Sequence, residues 1–231
     1  MSRTTYKSDS RIRTVAAVAV FCALAYVACV VFHFRASFLT FDLKDAVMTV
    51  GAMLFGPAWG FAMVLVVALI EMLTVSTTGL YGFVMNVLAS ASFVCVASFI
   101  YTRRRTMKGA IAGTLAAIAA MTGVMMLANL VITPFYMGAS SADVARLIPT
   151  LLLPFNLTKA IFNAALVFIL YKPIAAALRR AGFASQTVGS AAPQPSQKTR
   201  GLGITVTVAL IVAAAALVFF FLVLHGSVTV G

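Results

Sequence analysis

Leu153-Pro154-Phe155-Asn156-Leu157-Thr158-Lys159 places a lysine and two polar neighbours inside residues 149–178, an otherwise apolar segment long enough to cross a membrane. A charge at that depth costs about 2.5–3.5 kcal/mol on insertion scales, so such a residue defaults to a functional reading. Asn156, Lys159 and Asn163 stand at i, i+3 and i+7 and share one stripe of a helix. Spacing alone also allows a lysine snorkelling to the headgroups from near a helix end, with the asparagines bonding neighbouring helices. The rest of the chain favours the first reading.

With 62% hydrophobic and 10% charged residues, the composition is that of an all-α polytopic membrane protein and excludes a soluble domain. Seven apolar segments are predicted, at 14–34, 43–56, 57–75, 81–101, 109–136, 149–178 and 204–224. The second is too short for a simple span of about 20 residues. It meets the third at Phe55-Gly56-Pro57, where glycine suits a tight turn and proline a helix start. Pro134 and Pro154 predict kinked or unwound ends, which a membrane tolerates only where protein or a cavity lines them. The first apolar run continues from Val15 for about 20 residues, longer than a signal-peptide core, and reads as a retained helix. Cys22, Cys29 and Cys95 lie within spans without CxxC spacing, which points to packing residues and to no metal site or disulfide framework.

The net charge of +12 is explained by orientation. Arg3, Lys7, Arg11 and Arg13 precede the first span; Arg103, Arg104, Arg105 and Lys108 join the fourth and fifth; Arg179, Arg180, Lys198 and Arg200 follow the sixth. An amino terminus in the cytoplasm puts all of these inside and leaves only Arg35, Lys44 and Arg146 for the outer loops, with the carboxyl terminus outside. No nucleic-acid motif accompanies the basic residues, and lipid is their expected surrounding. The same model brings Asn129, Pro134, Pro154, Asn156, Lys159 and the loop 36–44 to the outer side, where a pocket loaded from outside is expected. The organisation read from the chain is a membrane domain at 1–182, a flexible cytoplasmic linker at 183–203 and an additional transmembrane helix with a short outer tail at 204–231.

Ala19-Val20-Phe21-Cys22-Ala23 in the first span is an AxxxA pattern, and small residues four apart let another helix approach closely. In sequence order it is followed by FDLKDAVMTVGAMLFGPAWGF (41–61), TGLYGFVMN (78–86), NLVITPFY (129–136) and LPFNLTKAIFNA (153–164). Over about residues 12–180 this succession resembles the substrate-binding S components of energy-coupling factor (ECF) vitamin transporters, above all the riboflavin-specific branch. The AxxxA and the FGP turn are shared loosely across S components, whereas the asparagine–proline end of the fifth span and PFNxxK of the sixth are more specific. The resemblance implies a six-helix S-component bundle, with the carboxyl-terminal helix as an extra element. It implies a plasma-membrane protein of a prokaryote that captures riboflavin from outside as its transported ligand, with no cofactor. The implied partners are a transmembrane T protein, contacted through Ala19 and Ala23, and two ATPase subunits. Asn129, Asn156 and Lys159 are the implied flavin-ring contacts.

The residue chemistry suits such a ligand. An asparagine amide both donates and accepts, matching an N–H/carbonyl edge, and an ammonium donates to carbonyl or ring-nitrogen acceptors. Phe38, Leu39 and Phe41 in the outer loop, and Phe135 and Tyr136 at the end of the fifth span, are candidate walls or lid, with an interfacial aromatic belt as the alternative. An S component for another vitamin or a flavin analogue stays open. An intramembrane enzyme would need a nucleophile with a base, paired carboxylates or metal ligands. Asp9, Asp42, Asp45, Glu71, Asp143, His33 and His225 form no such pattern, so no catalytic residue is assigned. A scaffold or membrane anchor explains the spans but leaves the Asn/Lys stripe without a role. The motif GxxxxGK[ST] is absent, so ATP hydrolysis is expected from a partner. For Glu71 three roles stay open: pairing with a basic group, an interfacial position, or holding an outer loop.

Overall fold

A bilayer offers no water to backbone N–H and C=O groups, so apolar runs of this length fold as helices. The computed structural model of the chain is built from them and describes residues 3–32, 34–36, 39–180, 199–224 and 227–228. The order is α1 (Arg3–Val31), β1 (Phe34–Ala36), β2 (Leu39–Phe41), α2 (Lys44–Phe55), α3 (Pro57–Thr74), α4 (Gly79–Arg104), α5 (Met107–Met137), α6 (Ser141–Leu147), a π-helical turn (Ile148–Leu152), α7 (Leu153–Arg180), α8 (Thr199–Leu222) and β3 (Ser227–Val228). Among the described residues, six stretches are long and apolar enough to cross a membrane, the last being Thr205–Leu222 in α8. The chain is an α-helical multi-pass membrane protein with one helix beyond the core bundle. His33, Phe38, residues 183–198 of the expected linker, and His225 lie outside the described residues, and α8 already begins at Thr199.

The second apolar segment, α2, does not need to span. Eleven of its twelve residues are buried, so it lies inside the bundle, against α1, α3, α4 and α7. Its end is set by Gly56, whose φ of 104° suits glycine, and Pro57 opens α3 at once in the position where a missing N–H costs nothing. Phe21, Met48, Met63, Phe93 and Met121 meet in the main core from five different helices. Helices α4 and α5 approach closely, so that a Cβ on Gly113 would stand 2.7 Å from the Ala97 carbonyl oxygen.

The proline positions resolve differently at the two sites. Pro134 is accommodated within α5, which runs on to Met137 and ends at the left-handed Gly138. Ahead of α7 the chain instead forms α6, started by Ser140, whose side chain accepts from the Asp143 N–H, and then the π-helical turn. Pro154 sits in the first turn of α7, where it can be tolerated. A π-turn is a common place for a helix to be re-aimed near a functional site.

The α4–α5 contact yields a test. Gly113→Val should lower the thermal unfolding midpoint of the detergent-purified protein, because overpacking costs about 1–3 kcal/mol. Gly123→Ala, where a Cβ meets nothing within 4 Å, should leave it unchanged. Equal midpoints for both variants would show that the close approach does not constrain the bundle.

Candidate functional site

At the end of the bundle opposite Arg103–Arg105, the helices enclose a cavity of about 350 Å³, within the range of small-molecule sites. It lies between the carboxyl-terminal ends of α3 and α5, the amino-terminal ends of α4 and α7, and strand β2. Tyr81, Phe155 and Tyr136 offer aromatic surface, while Met85, Met121 and Met125 offer adaptable apolar surface.

One wall is ionic. The Lys44 ammonium lies 2.9 Å from Asp42 Oδ2 and 2.9 Å from Glu71 Oε2, and donates to Asn86 Oδ1 at 3.0 Å. The contact with Glu71 is close in distance but poorly aligned for a hydrogen bond, so it is an ion pair. Lys159 approaches the same Asp42 oxygen at 2.9 Å and donates to the Thr40 carbonyl at 3.1 Å. These four ion-paired groups are buried, two ammoniums against two carboxylates; the neighbouring Asp45 is buried as well and accepts from Ser90 instead of an ammonium. Burial alone would raise the Asp42 carboxyl, but Lys159 and Lys44 outweigh it and hold the group below the usual carboxylate range. Asn163, on the Lys159 stripe, accepts from the Ala46 N–H in the first turn of α2 at 2.9 Å and donates to the Asp42 carbonyl at 3.2 Å. A side chain of α7 thus satisfies a donor that a helix start leaves unpaired.

Three polar side chains face the cavity with hydrogen-bonding capacity to spare. Asn129 donates to the Met125 carbonyl at 2.7 Å and accepts from Thr133, leaving one amide N–H. Asn156 donates to the Leu152 carbonyl at 2.8 Å, and its own carbonyl oxygen accepts nothing among the described residues. Lys159 uses two of its three N–H donors. Two helices therefore present unspent donors and an unspent acceptor to one enclosed space.

Asn129, Asn156, Lys159 and Leu39 all line this cavity, together with Tyr136. Phe41 and Phe135 do not. The Phe41 ring is fully buried behind the wall against Phe155, Phe162 and Phe220, and Phe135 is 72% exposed on the outer surface of α5. Their proposed role as walls is corrected accordingly: Tyr81 and Phe155 supply aromatic surface instead. Lys159, expected to direct its charge at a ligand, is also committed to Asp42. Glu71 resolves to the first of its open roles, a partner for Lys44. Asp42, Lys44, Thr40 and Asn86 were missed by the sequence pattern. The available signal was Asp42-Leu43-Lys44-Asp45, three charges entering an apolar helix, which are costly to bury without polar or charged partners.

Cys29 Sγ lies with Asp42 and Glu71 carboxylate oxygens within 4.8 Å of one another, a ligand set that the sequence spacing did not reveal. The Lys44 ammonium contacts both carboxylates and takes the position a cation would need. Ala19 and Ala23 face outward on α1 beside exposed Val20 and Leu24, clear of the core.

Fold and site define a multi-pass membrane protein with a buried, mixed-polarity small-molecule cavity at one end. The model of the family "ECF transporter, substrate-specific component" matches residues 13–171. The chain belongs to that family. It is 32% identical over 153 residues to the riboflavin transporter RibU of Staphylococcus aureus (strain TCH60), a match spanning 64% of this chain and 80% of that protein. A solved S component of a bacterial ECF transporter superposes with a TM-score of 0.62 at 28% identity, covering 74% of this chain and 99% of that one.

The ionic wall predicts a specific non-additivity. Lys159→Met should destabilise the protein by about 3–5 kcal/mol, because it strips a buried carboxylate of one partner. That exceeds the ~1–3 kcal/mol of a lost ligand hydrogen bond, so the fold should suffer first. Adding Asp42→Asn restores charge balance and should recover most of the thermal midpoint. A single variant as stable as the parent would remove Asp42 and Lys159 from the structural account.

Proposed function

We propose that the chain is the substrate-capture subunit of an ECF-type importer and that its ligand is riboflavin, taken up from outside and passed on through a T protein driven by two ATPase subunits. The observation that carries this reading is the convergence of Asn129, Asn156 and Lys159 in one cavity from helices well separated in sequence. Riboflavin is uncharged, with a flat ring system whose edge carries carbonyls, ring nitrogens and one N–H. Asn156 can accept from that N–H through its free carbonyl oxygen, while Asn129 and Lys159 donate to edge acceptors. The ion-paired groups Asp42, Glu71, Lys44 and Lys159 balance among themselves, so a neutral ligand leaves those pairs undisturbed. The similarity to RibU supports the same ligand.

Coupling is assigned to the outward face of α1. Ala19 and Ala23 leave that face shallow, which suits close approach by a helix of the T protein. The α8 helix packs against α7, and Ala19 and Ala23 stay exposed among the described residues. Basic residues at the end away from the cavity support a cytoplasmic amino terminus, a cytoplasmic 183–198 segment and an outward-opening site.

The ligand assignment is tested first by the visible spectrum of the purified protein and by quenching of added riboflavin fluorescence. Asn156→Ala and Asn129→Ala should each weaken binding by about 1–3 kcal/mol, up to roughly a hundredfold, with expression and monodispersity intact. A colourless protein that fails to quench riboflavin would exclude this ligand. For the α1 face, Ala23→Trp should keep riboflavin binding by the isolated subunit and abolish ATP-dependent uptake by the assembled importer; normal uptake would return Ala23 to ordinary packing. For orientation, Ser190→Cys in a cysteine-free background should resist an impermeant thiol reagent in intact cells, and labelling would invert the topology.

A further inference from the structure

The short outer strands are held by the far end of the chain. β1 and β2 pair antiparallel as Phe34↔Phe41, Arg35↔Thr40 and Ala36↔Leu39, and β3 adds to the free edge of β1 as Phe34↔Val228 and Arg35↔Ser227. A lone two-stranded hairpin of this length is marginal, so a third strand is a substantial addition. β2 is the strand that brings Leu39 and Thr40 to the cavity.

A second attachment comes from α8 itself. Ala209, Ala213, Ala216 and Phe220 form its buried stripe, in a cluster that includes Phe162 and Ala165 of α7. At the top of that stripe the Phe220 ring is fully buried, 4.7 Å from the ring of Phe41 and 6.3 Å from that of Phe155. Phe41 ends β2, and Phe155 is a wall of the cavity. One segment therefore grips the hairpin twice, at its edge through β3 and from behind through Phe220.

We propose that α8 and β3 form a carboxyl-terminal strap over the outer hairpin, and that Phe220 is a positioning residue, backing Phe41 and Phe155, that sets how fast the pocket exchanges its ligand. The part concerning ligand exchange rests on the cavity being the riboflavin site. A ligand leaving past Leu39 and Thr40 requires the hairpin to move, and the strap resists that movement. The Lys159 contacts to Thr40 and Asp42 hold the hairpin from inside the bundle, and the strap holds it from outside. Losing the strap should therefore raise the dissociation rate more than it lowers the association rate.

The test uses the full chain in detergent. Phe220→Ala should accelerate riboflavin dissociation about tenfold, measured by fluorescence recovery on dilution, since changes within one binding site act mainly on the off-rate. Phe220→Leu should restore most of the parent rate, and Leu222→Ala, at a position 72% exposed, should leave it unchanged. Independently, Arg35→Cys with Ser227→Cys in a cysteine-free background should form a disulfide under a mild oxidant, because paired strand positions fall in the required Cα range. The cross-linked protein should release riboflavin more slowly, and reduction should reverse this. Failure to cross-link, or an unchanged off-rate in the cross-linked protein, overturns the strap even if Phe220→Ala is too unstable to measure. If the parent protein does not bind riboflavin, the reading of the cavity falls with it and the proposed control of exchange is overturned.

Discussion

A single carboxylate oxygen, Asp42 Oδ2, sits 2.9 Å from both the Lys44 and the Lys159 ammonium, and the cavity end of the bundle is organised around it. Through it the loop after β2 is joined to α2 and to α7, and through Lys44 to Glu71 on α3 and Asn86 on α4. Such a network is weak evidence of stability in itself, because well-packed apolar residues in its place are often as stable. Breaking it at one member is a different matter, since that leaves a buried charge uncompensated. The cluster is therefore best understood as a positioning device. It fixes the ammonium of Lys159 at the cavity wall in one place, with one donor left over.

The same constraint explains α2. A twelve-residue helix cannot cross a hydrocarbon core of about 30 Å, and it carries Lys44 and Asp45 in its first turn. Exposed to lipid, both would be costly. Placed inside the bundle, Lys44 meets its carboxylates, Asp45 Oδ1 accepts from Ser90 at 2.5 Å, and the Ala46 N–H finds Asn163. The long helices around it carry the lipid-facing surface, so α2 is free to lie wholly inside the bundle.

Much of this was legible in the sequence, for physical reasons that differ by residue. Long spans are nearly forced by hydropathy, and Asn129, Asn156 and Lys159 could be matched because charge-based orientation gives each span a depth. Rotation about the helix was the part read too loosely. Tyr136 stands seven residues from Asn129 and shares its face, whereas Phe135 is turned about 100° away from it, as a period of 3.6 dictates. Phe41 had no such rule to obey: its burial depends on Phe220, some 180 residues on, which no local pattern predicts. The ionic wall lies between these cases. That Lys44, Asp42, Glu71 and Lys159 needed counter-charges follows from their setting; which pairs form is set by where three separate segments meet.

Helix α8 gives the fold a division of labour that a six-helix bundle lacks. Its alanine stripe is spent on α7, so its remaining surface, including Val208, Ile211, Val218 and Leu222, is exposed and apolar, as a lipid-facing helix requires. The shallow alanine face of α1, by contrast, is left open. Attachment on α7 also brings the end of α8 to the hairpin at the mouth of the cavity, as Phe220 and β3 record. An added helix on the α1 side would cover the surface proposed for a T protein; packed on α7, α8 reaches the hairpin beside the cavity and leaves Ala19 and Ala23 exposed. The two proposed roles, ligand exchange at the hairpin and partner docking on α1, therefore fall on different helices of the same bundle and do not compete for one surface.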